Sequence, residues 1–166
     1  MPSPKIVALR PEEFSLAIEV AKQRQVESLK LGLKDKKLGK PTGWRDGLGL
    51  HLYGTTSELA VAKLLDRYWQ AGVNQFSGMT PDVSSNIEVR FSTLENPKLI
   101  VRNGDPEDRI YVLVTGSPPD MTVHGWIEGK AAKEMKQYYV DYNGVGKPAY
   151  FIPRHELKEM DLLLNN

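Results

Sequence analysis

An α/β (α+β) domain, a central mixed β-sheet flanked by helices, is the fold class this 166-residue chain predicts. Three observations carry it. Two N-terminal stretches have apolar residues at helical spacing, the middle consists of short β-prone runs divided by turn residues, and two further helical patterns enclose one last strand. The length fits about one domain, without repeat or linker. Within it, residues 1–53 read as an N-terminal helical extension with a basic loop, and residues 54–166 as the core.

From Pro11 to about Leu31, the residues Phe14, Ala17, Ile18, Ala21 and Val26 recur near helical spacing, and Pro11 suits a first turn, where its missing N–H is no loss. The next stretch, Gly32 to Gly54, carries Lys34, Lys36, Lys37, Lys40 and Arg45 among glycines and a proline, which predicts a mobile basic loop. Trp44 in that loop can stack on a base or anchor the loop to the body.

A second helix is expected over Thr56 to Trp69, with a stripe of Val61, Ala62, Leu65, Tyr68 and Trp69 headed by Glu58. That aims a carboxylate inward. Thr55-x-x-Glu58 also matches a capping box, in which the glutamate only binds a backbone amide, and the pattern leaves both readings open.

Pro81 to Arg90 reads as a β-hairpin. If Ser84-Ser85-Asn86 is a three-residue loop with Asn86 in the left-handed position, Val83 faces Ile87 and Asp82 faces Glu88. Directly opposed acids destabilise a strand pair unless a counter-ion is supplied, and oxygen ligands converging from two strands suit a hard divalent cation such as magnesium. Along the second strand Ile87, Val89 and Phe91 share one face, while Glu88, Arg90 and Ser92 share the other. A carboxylate pair beside a cation is what phosphodiester hydrolysis needs: a metal to acidify a water, and a positive group to offset charge on the phosphorus oxygens. The plain alternative is an exposed hairpin with scattered surface charge.

Short strands follow at Leu99 to Arg102, Ile110 to Thr115 and Met121 to Ile127, divided by Asn103-Gly104-Asp105-Pro106 and Ser117-Pro118-Pro119-Asp120, and these are expected to complete the sheet. Glu128 to Tyr139 reads as a helix, Ala149 to Ile152 as a strand, and His155 to Leu164 as a closing helix with Leu157, Met160, Leu163 and Leu164 inward.

Composition narrows the chemistry. With 22 basic and 21 acidic residues the charge balance does not mark the chain as a bulk nucleic-acid binder, although local patches can act as one. The absence of cysteine excludes disulfides, thiolate metal sites and cysteine nucleophiles. His51, His124 and His155 lack zinc-ligand spacing, and His124, between apolar residues on a strand, reads as a hydrogen-bonded structural histidine. Gly43 to Gly54 lacks the Gly-Lys-Ser/Thr ending of a P-loop, and Gly144-Val145-Gly146 is too short for a dinucleotide fingerprint. No apolar run can span a membrane, and Met-Pro-Ser-Pro-Lys lacks a signal-peptide core, so a cytoplasmic location without a membrane partner is expected.

Glu58 on a helix, then Pro81-Asp82, then Glu88-Val89-Arg90, resembles the PD-(D/E)XK nuclease superfamily with its restriction-endonuclease-like fold. The segments Gly54-Thr55-Thr56-Ser57-Glu58-Leu59-Ala60, Tyr111-Val112-Leu113-Val114 and Gly125-Trp126-Ile127 are similar to small phage-encoded members, and a phage origin would make the expected location the host cytoplasm. The resemblance covers approximately Gly54 to the C-terminus. It implies hydrolysis of DNA with magnesium or manganese. Asp82 and Glu88 would be metal ligands with the carbonyl of Val89 as a third, and Glu58 would hold a second metal or a metal-bound water. Lys34, Lys36, Lys37, Lys40, Trp44, Arg45 and Arg102 are the candidate DNA contacts, and a homodimer is one way to cut two strands.

The departure is at Arg90, where the family usually has lysine. Arginine keeps the charge and grips phosphate with two donors, but it stays protonated and cannot serve as a base. The metal would activate water alone, or Lys98 or Arg102 would assist. A catalytically inactive DNA-binding relative, or a subunit of a nucleic-acid-processing complex, is the competing expectation. A protein-interaction domain with purely surface acids is the third.

Overall fold

The chain enters the fold through a strand that the sequence reading did not contain, β1 (Lys5–Ala8), whose Val7 alone is buried among exposed or half-buried neighbours. The structure, a computed structural model, describes residues 1–32, 44–73, 79–142, 144 and 146–165. Helix α1 (Pro11–Lys30) follows, with Pro11 in its first turn and the Glu13 carboxylate accepting the Arg10 N–H at 2.7 Å. It buries Ala17, Val20, Ala21 and Gln25.

Helix α2 runs over Trp44–Leu65. This corrects the sequence reading, which placed residues 44–54 in a loop and began the helix at Thr56. The glycines that read as loop have a packing use at Gly47: a Cβ there would stand 2.9 Å from Gln25 Nε2, so any side chain at this position would force the Gln25 amide to shift. The boundary proposed at residue 54 therefore falls inside a helix. Thr55 and Thr56 sit well within it, their hydroxyls donating to the carbonyls of Ala17 (3.0 Å) and Leu52 (2.6 Å), so the capping box is not formed.

The same helix ends before Trp69. Asp66 takes a left-handed conformation (φ 51) and the Arg67 N–H donates to the Ala62 carbonyl at 2.9 Å, a closure that stops the helix at Leu65. Tyr68, assigned to the inward stripe, is 73% exposed, whereas Trp69 is buried and bridges to Val83.

The remaining strands are β2 (Ile87–Phe91), β3 (Lys98–Arg102), β4 (Ile110–Ser117), β5 (Asp120–Glu128), β6 (Tyr139–Val140) and β7 (Ala149–Pro153). They form two sheets instead of one. A mixed four-stranded sheet has the order β1-β5-β4-β2, with β2 and β4 parallel, and an antiparallel three-stranded sheet has the order β3-β7-β6. Strand β4 separates two cores because its side chains alternate. Val112 and Val114 face α1, α2 and the first core, while Tyr111 and Leu113 face β3, β7 and the second. Buried on both faces, β4 reads as one continuous apolar run.

The C-terminal region is more broken than its apolar spacing predicts. The expected helix from Glu128 to Tyr139 is α3 (Gly129–Glu134), then a 3-10 turn over Lys136–Tyr138 and strand β6. The expected helix from His155 is a 3-10 turn over Arg154–Glu156 and a short α4 (Asp161–Leu164), because Lys158 between them pairs with Trp126. That pairing sits against Gly125, where a Cβ would lie 2.7 Å from the Lys158 carbonyl oxygen. Among the described residues no helix is long and apolar enough to cross a membrane.

Candidate functional site

Three elements carry the three acids singled out by sequence: α2 holds Glu58, the hairpin before β2 holds Asp82, and β2 holds Glu88. The hairpin forms, with Val83 and Ile87 exchanging backbone hydrogen bonds at 3.1 and 3.2 Å. Its left-handed residue is Ser84 (φ 55), not Asn86. Nominally opposite Glu88, Asp82 turns its carboxylate along the strand, and Oδ2 accepts the Val89 N–H at 2.8 Å. Ile87 and Val89 pack on the first core, whereas Glu88 pairs in parallel register with Tyr111, on the side of the second.

Glu58 is buried, 6% exposed. Arg24 of α1 donates to both its oxygens, Nη1 to Oε1 at 2.7 Å and Nη2 to Oε2 at 2.8 Å, and Trp69 Nε1 adds a bond to Oε2 at 2.9 Å. Arg24 Nε is fixed in turn by the Gly72 carbonyl at 2.6 Å. The inward placement expected for Glu58 therefore holds. Its oxygens meet a guanidinium and an indole, groups that can only donate.

Glu88 is equally buried and also held by arginine. Arg90 Nη1 donates to Oε2 at 3.2 Å, and Arg109, which begins the approach to β4, donates to Oε1 and to the Met79 carbonyl. Arg90 reaches Asp105 Oδ2 with Nη2 at 3.2 Å and lies over the Tyr111 ring, 5.3 Å from its centroid. Asp105 Oδ2 accepts the Arg102 backbone N–H as well, at 2.8 Å, which ties the end of β3 to this cluster.

The electrostatics follow from this placement. Burial, then Glu58, then Glu88 push Asp82 up to about 8, against the Val89 N–H and Arg90, which favour its charged form. Burial raises Glu88 too, although Arg90 and Arg109 oppose it. Arg24 and Arg90 are held above the ordinary arginine value because the carboxylates beside them outweigh burial. Asp82 is thus a carboxyl group within the field of two other acids, where burial and those acids outweigh the Val89 N–H and Arg90.

The donor set is all oxygen and suits a hard divalent cation in kind. Among the described residues, however, no three His, Cys, Asp or Glu side chains come together closely enough to hold a metal ion. Arg24, Arg90 and Arg109 stand on the oxygens of Glu58 and Glu88, so an ion here would take the place of guanidinium contacts.

The other sequence candidates are dispersed. Lys34, Lys36, Lys37 and Lys40 lie outside the described residues, and Trp44 and Arg45 begin α2. Lys98, considered as an aid to water activation, donates to the Tyr142 hydroxyl at 2.7 Å instead of reaching the carboxylates, and the Arg102 side chain is exposed. His124 is buried with Nε2 2.7 Å from Thr115 Oγ1, as a structural histidine.

Arg24, Arg109 and Asp105 were not among the sequence candidates. Arg24 left a signal, since it shares a helical stripe with the buried Ala17 and Ala21, a charged residue on an inward face. Arg109 and Asp105 sit in a turn-rich segment with no periodicity to mark them. No family model, curated protein or solved structure matches the chain.

Proposed function

We propose that the protein is a divalent-metal-dependent nuclease of the PD-(D/E)XK type, hydrolysing phosphodiester bonds in DNA. The observation that carries this reading is that Asp82 lies within the field of Glu58 and Glu88, with Arg90 and Arg109 bonded to Glu88. Asp82, Glu88 and the Val89 carbonyl would hold magnesium or manganese, with Glu58 available to a second ion. When bound, such an ion supplies an acidified water and positive charge for the reacting phosphate.

The chain's own contribution is charge and orientation. Arg90, fixed between Glu88 and Asp105, keeps its positive charge at every working pH, so it stabilises phosphate oxygens and leaves proton removal to another group. The Val89 N–H holds Asp82 Oδ2 and orients that carboxylate. Release of Glu58 and Glu88 from their arginines would free oxygen donors and, in the same movement, free cations for the phosphate backbone.

The test is incubation of the purified protein with labelled linear duplex, single-stranded and closed circular DNA, with magnesium, manganese or EDTA. Cleavage that needs the metal and disappears in Asp82→Ala and Glu88→Ala sustains the reading; cleavage untouched by both substitutions ends it.

A second reading, a catalytically silent DNA-binding relative, draws on the engagement of Glu58 and Glu88 by arginines. It predicts salt-sensitive DNA binding and no hydrolysis with any divalent ion.

A further inference from the structure

The three-stranded sheet presents a face that the acidic site does not use. Its inward positions, Leu99, Val101 and Ile152, fill the second core. Its outward positions on β3 are Lys98, Ile100 and Arg102, and Phe151 of β7 stands opposite Ile100 in the antiparallel register. Tyr142, just beyond β6, is 59% exposed and packs edge to face on Phe151, with ring centroids 4.6 Å apart. The Lys98 ammonium lies 4.9 Å from the Tyr142 centroid and donates to its hydroxyl at 2.7 Å. Two aromatic rings and two cations thus share one surface. The outward positions of β3 carry no carboxylate.

We infer that this face binds single-stranded DNA, with unpaired bases stacking on Tyr142 and Phe151 and phosphates meeting Lys98 and Arg102. The exposed Tyr142 ring, with the half-buried Phe151 beside it, demands bases that are not already stacked and paired, which favours a single strand over a duplex. The two cations complement a backbone carrying one negative charge per nucleotide. The face also leads to the acidic cluster: Asp105 Oδ2 accepts the Arg102 N–H at 2.8 Å and the Arg90 guanidinium at 3.2 Å. A strand lying along β3 therefore arrives beside Arg90. The choice of DNA rests on the function proposed above; the stacking surface does not depend on hydrolysis.

The experiment is fluorescence anisotropy of labelled oligothymidylate with the full chain in EDTA, across a salt series, beside an oligouridylate and a duplex. Tyr142→Ala is expected to weaken oligothymidylate binding about tenfold, whereas Tyr142→Phe, which keeps the ring and loses only the hydroxyl, binds as the parent does. Lys98→Gln and Arg102→Gln each weaken binding and reduce the salt slope by about 0.7 per lost phosphate contact. Unchanged affinity in Tyr142→Ala, or tighter binding of the duplex or the oligouridylate, overturns the inference. A cleavage assay of the parent protein with magnesium, run beside the binding series, separates the two claims. Retained oligothymidylate binding without cleavage by the parent protein upholds the surface and defeats the nuclease reading, and cleavage with binding indifferent to these surface variants does the opposite.

Discussion

Arg24 and Glu58 form a two-point ion pair across the contact between α1 and α2, Nη1 to Oε1 at 2.7 Å and Nη2 to Oε2 at 2.8 Å, with side chains only 12% and 7% exposed. The planar guanidinium matches the carboxylate with parallel bonds and still has Nε for the Gly72 carbonyl. Residues of the N-terminal helix are thereby part of the acidic cluster. The first helix, read from sequence as an extension outside the resemblance, supplies one of the cluster's cations.

Arg24→Ala is expected to destabilise the fold by about 3 kcal/mol or more, because it leaves Glu58 buried with Trp69 Nε1 as its remaining named donor. Urea unfolding measures this. The paired replacement Arg24→Met with Glu58→Leu should recover most of the loss, since two apolar side chains leave no orphaned charge. A single-variant loss under about 1 kcal/mol would mean that water replaces the guanidinium at no great cost.

The sequence was most legible where periodicity and burial coincide. The strands β2, β3, β4, β5 and β7 and the helix α1 stand close to their expected bounds, since each has one clear apolar pattern. It misled where tertiary packing overrides local signals. Gly47 read as loop because its use is to admit Gln25 from another helix. The edge strand β1 is four residues with one buried side chain, too little pattern to register. The acids were legible in the same way: Glu58 headed an apolar stripe and Glu88 alternated with Ile87 and Val89. Arg90, two residues from Glu88, was legible with them, but Arg24 and Arg109 reach Glu58 and Glu88 from 34 and 21 residues away, a distance no local pattern reports.

At Gly47, alanine gains helix propensity but meets the end of the Gln25 side chain, which is buried at 8% exposure and would have to shift. Gly47→Ala should cost about 1–3 kcal/mol in thermal or urea unfolding, outweighing the roughly 1 kcal/mol gained in propensity. Shortening the neighbour reverses the sign: Gly47→Ala should be less harmful, or stabilising, in a Gln25→Ala background. Additive effects in that cycle would show that the two residues do not meet.

Arg90 separates charge stabilisation from base catalysis. If its role is to offset phosphate charge, Arg90→Ala should lower kcat by about 10²–10³-fold, and Arg90→Lys should keep part of the rate while losing the fork between Glu88 and Asp105. Single-turnover cleavage under saturating metal gives the comparison. A lysine variant faster than the parent would show that this position limits water activation, the role arginine cannot fill.

Asp82 gives the pH dependence its sign. Its folded-state value, about 8, is raised above the ordinary 3.8 by burial, Glu58 and Glu88, so between these two values the folded chain binds more protons than the unfolded chain. The stability it contributes is fully present below 3.8 and is lost as pH rises through about 8. The slope approaches about 1.4 kcal/mol per pH unit for one proton. Asp82→Asn should flatten this decline and leave the metal-free protein more stable than the parent at alkaline pH. Magnesium should act in the opposite direction on the parent, favouring the charged carboxylate, so that its effect on Tm is larger at alkaline than at acidic pH and absent in Asp82→Asn. Thermal melts of both proteins across that range, with and without magnesium, decide it: parallel curves for parent and variant would mean that Asp82 neither titrates in this window nor meets the ion.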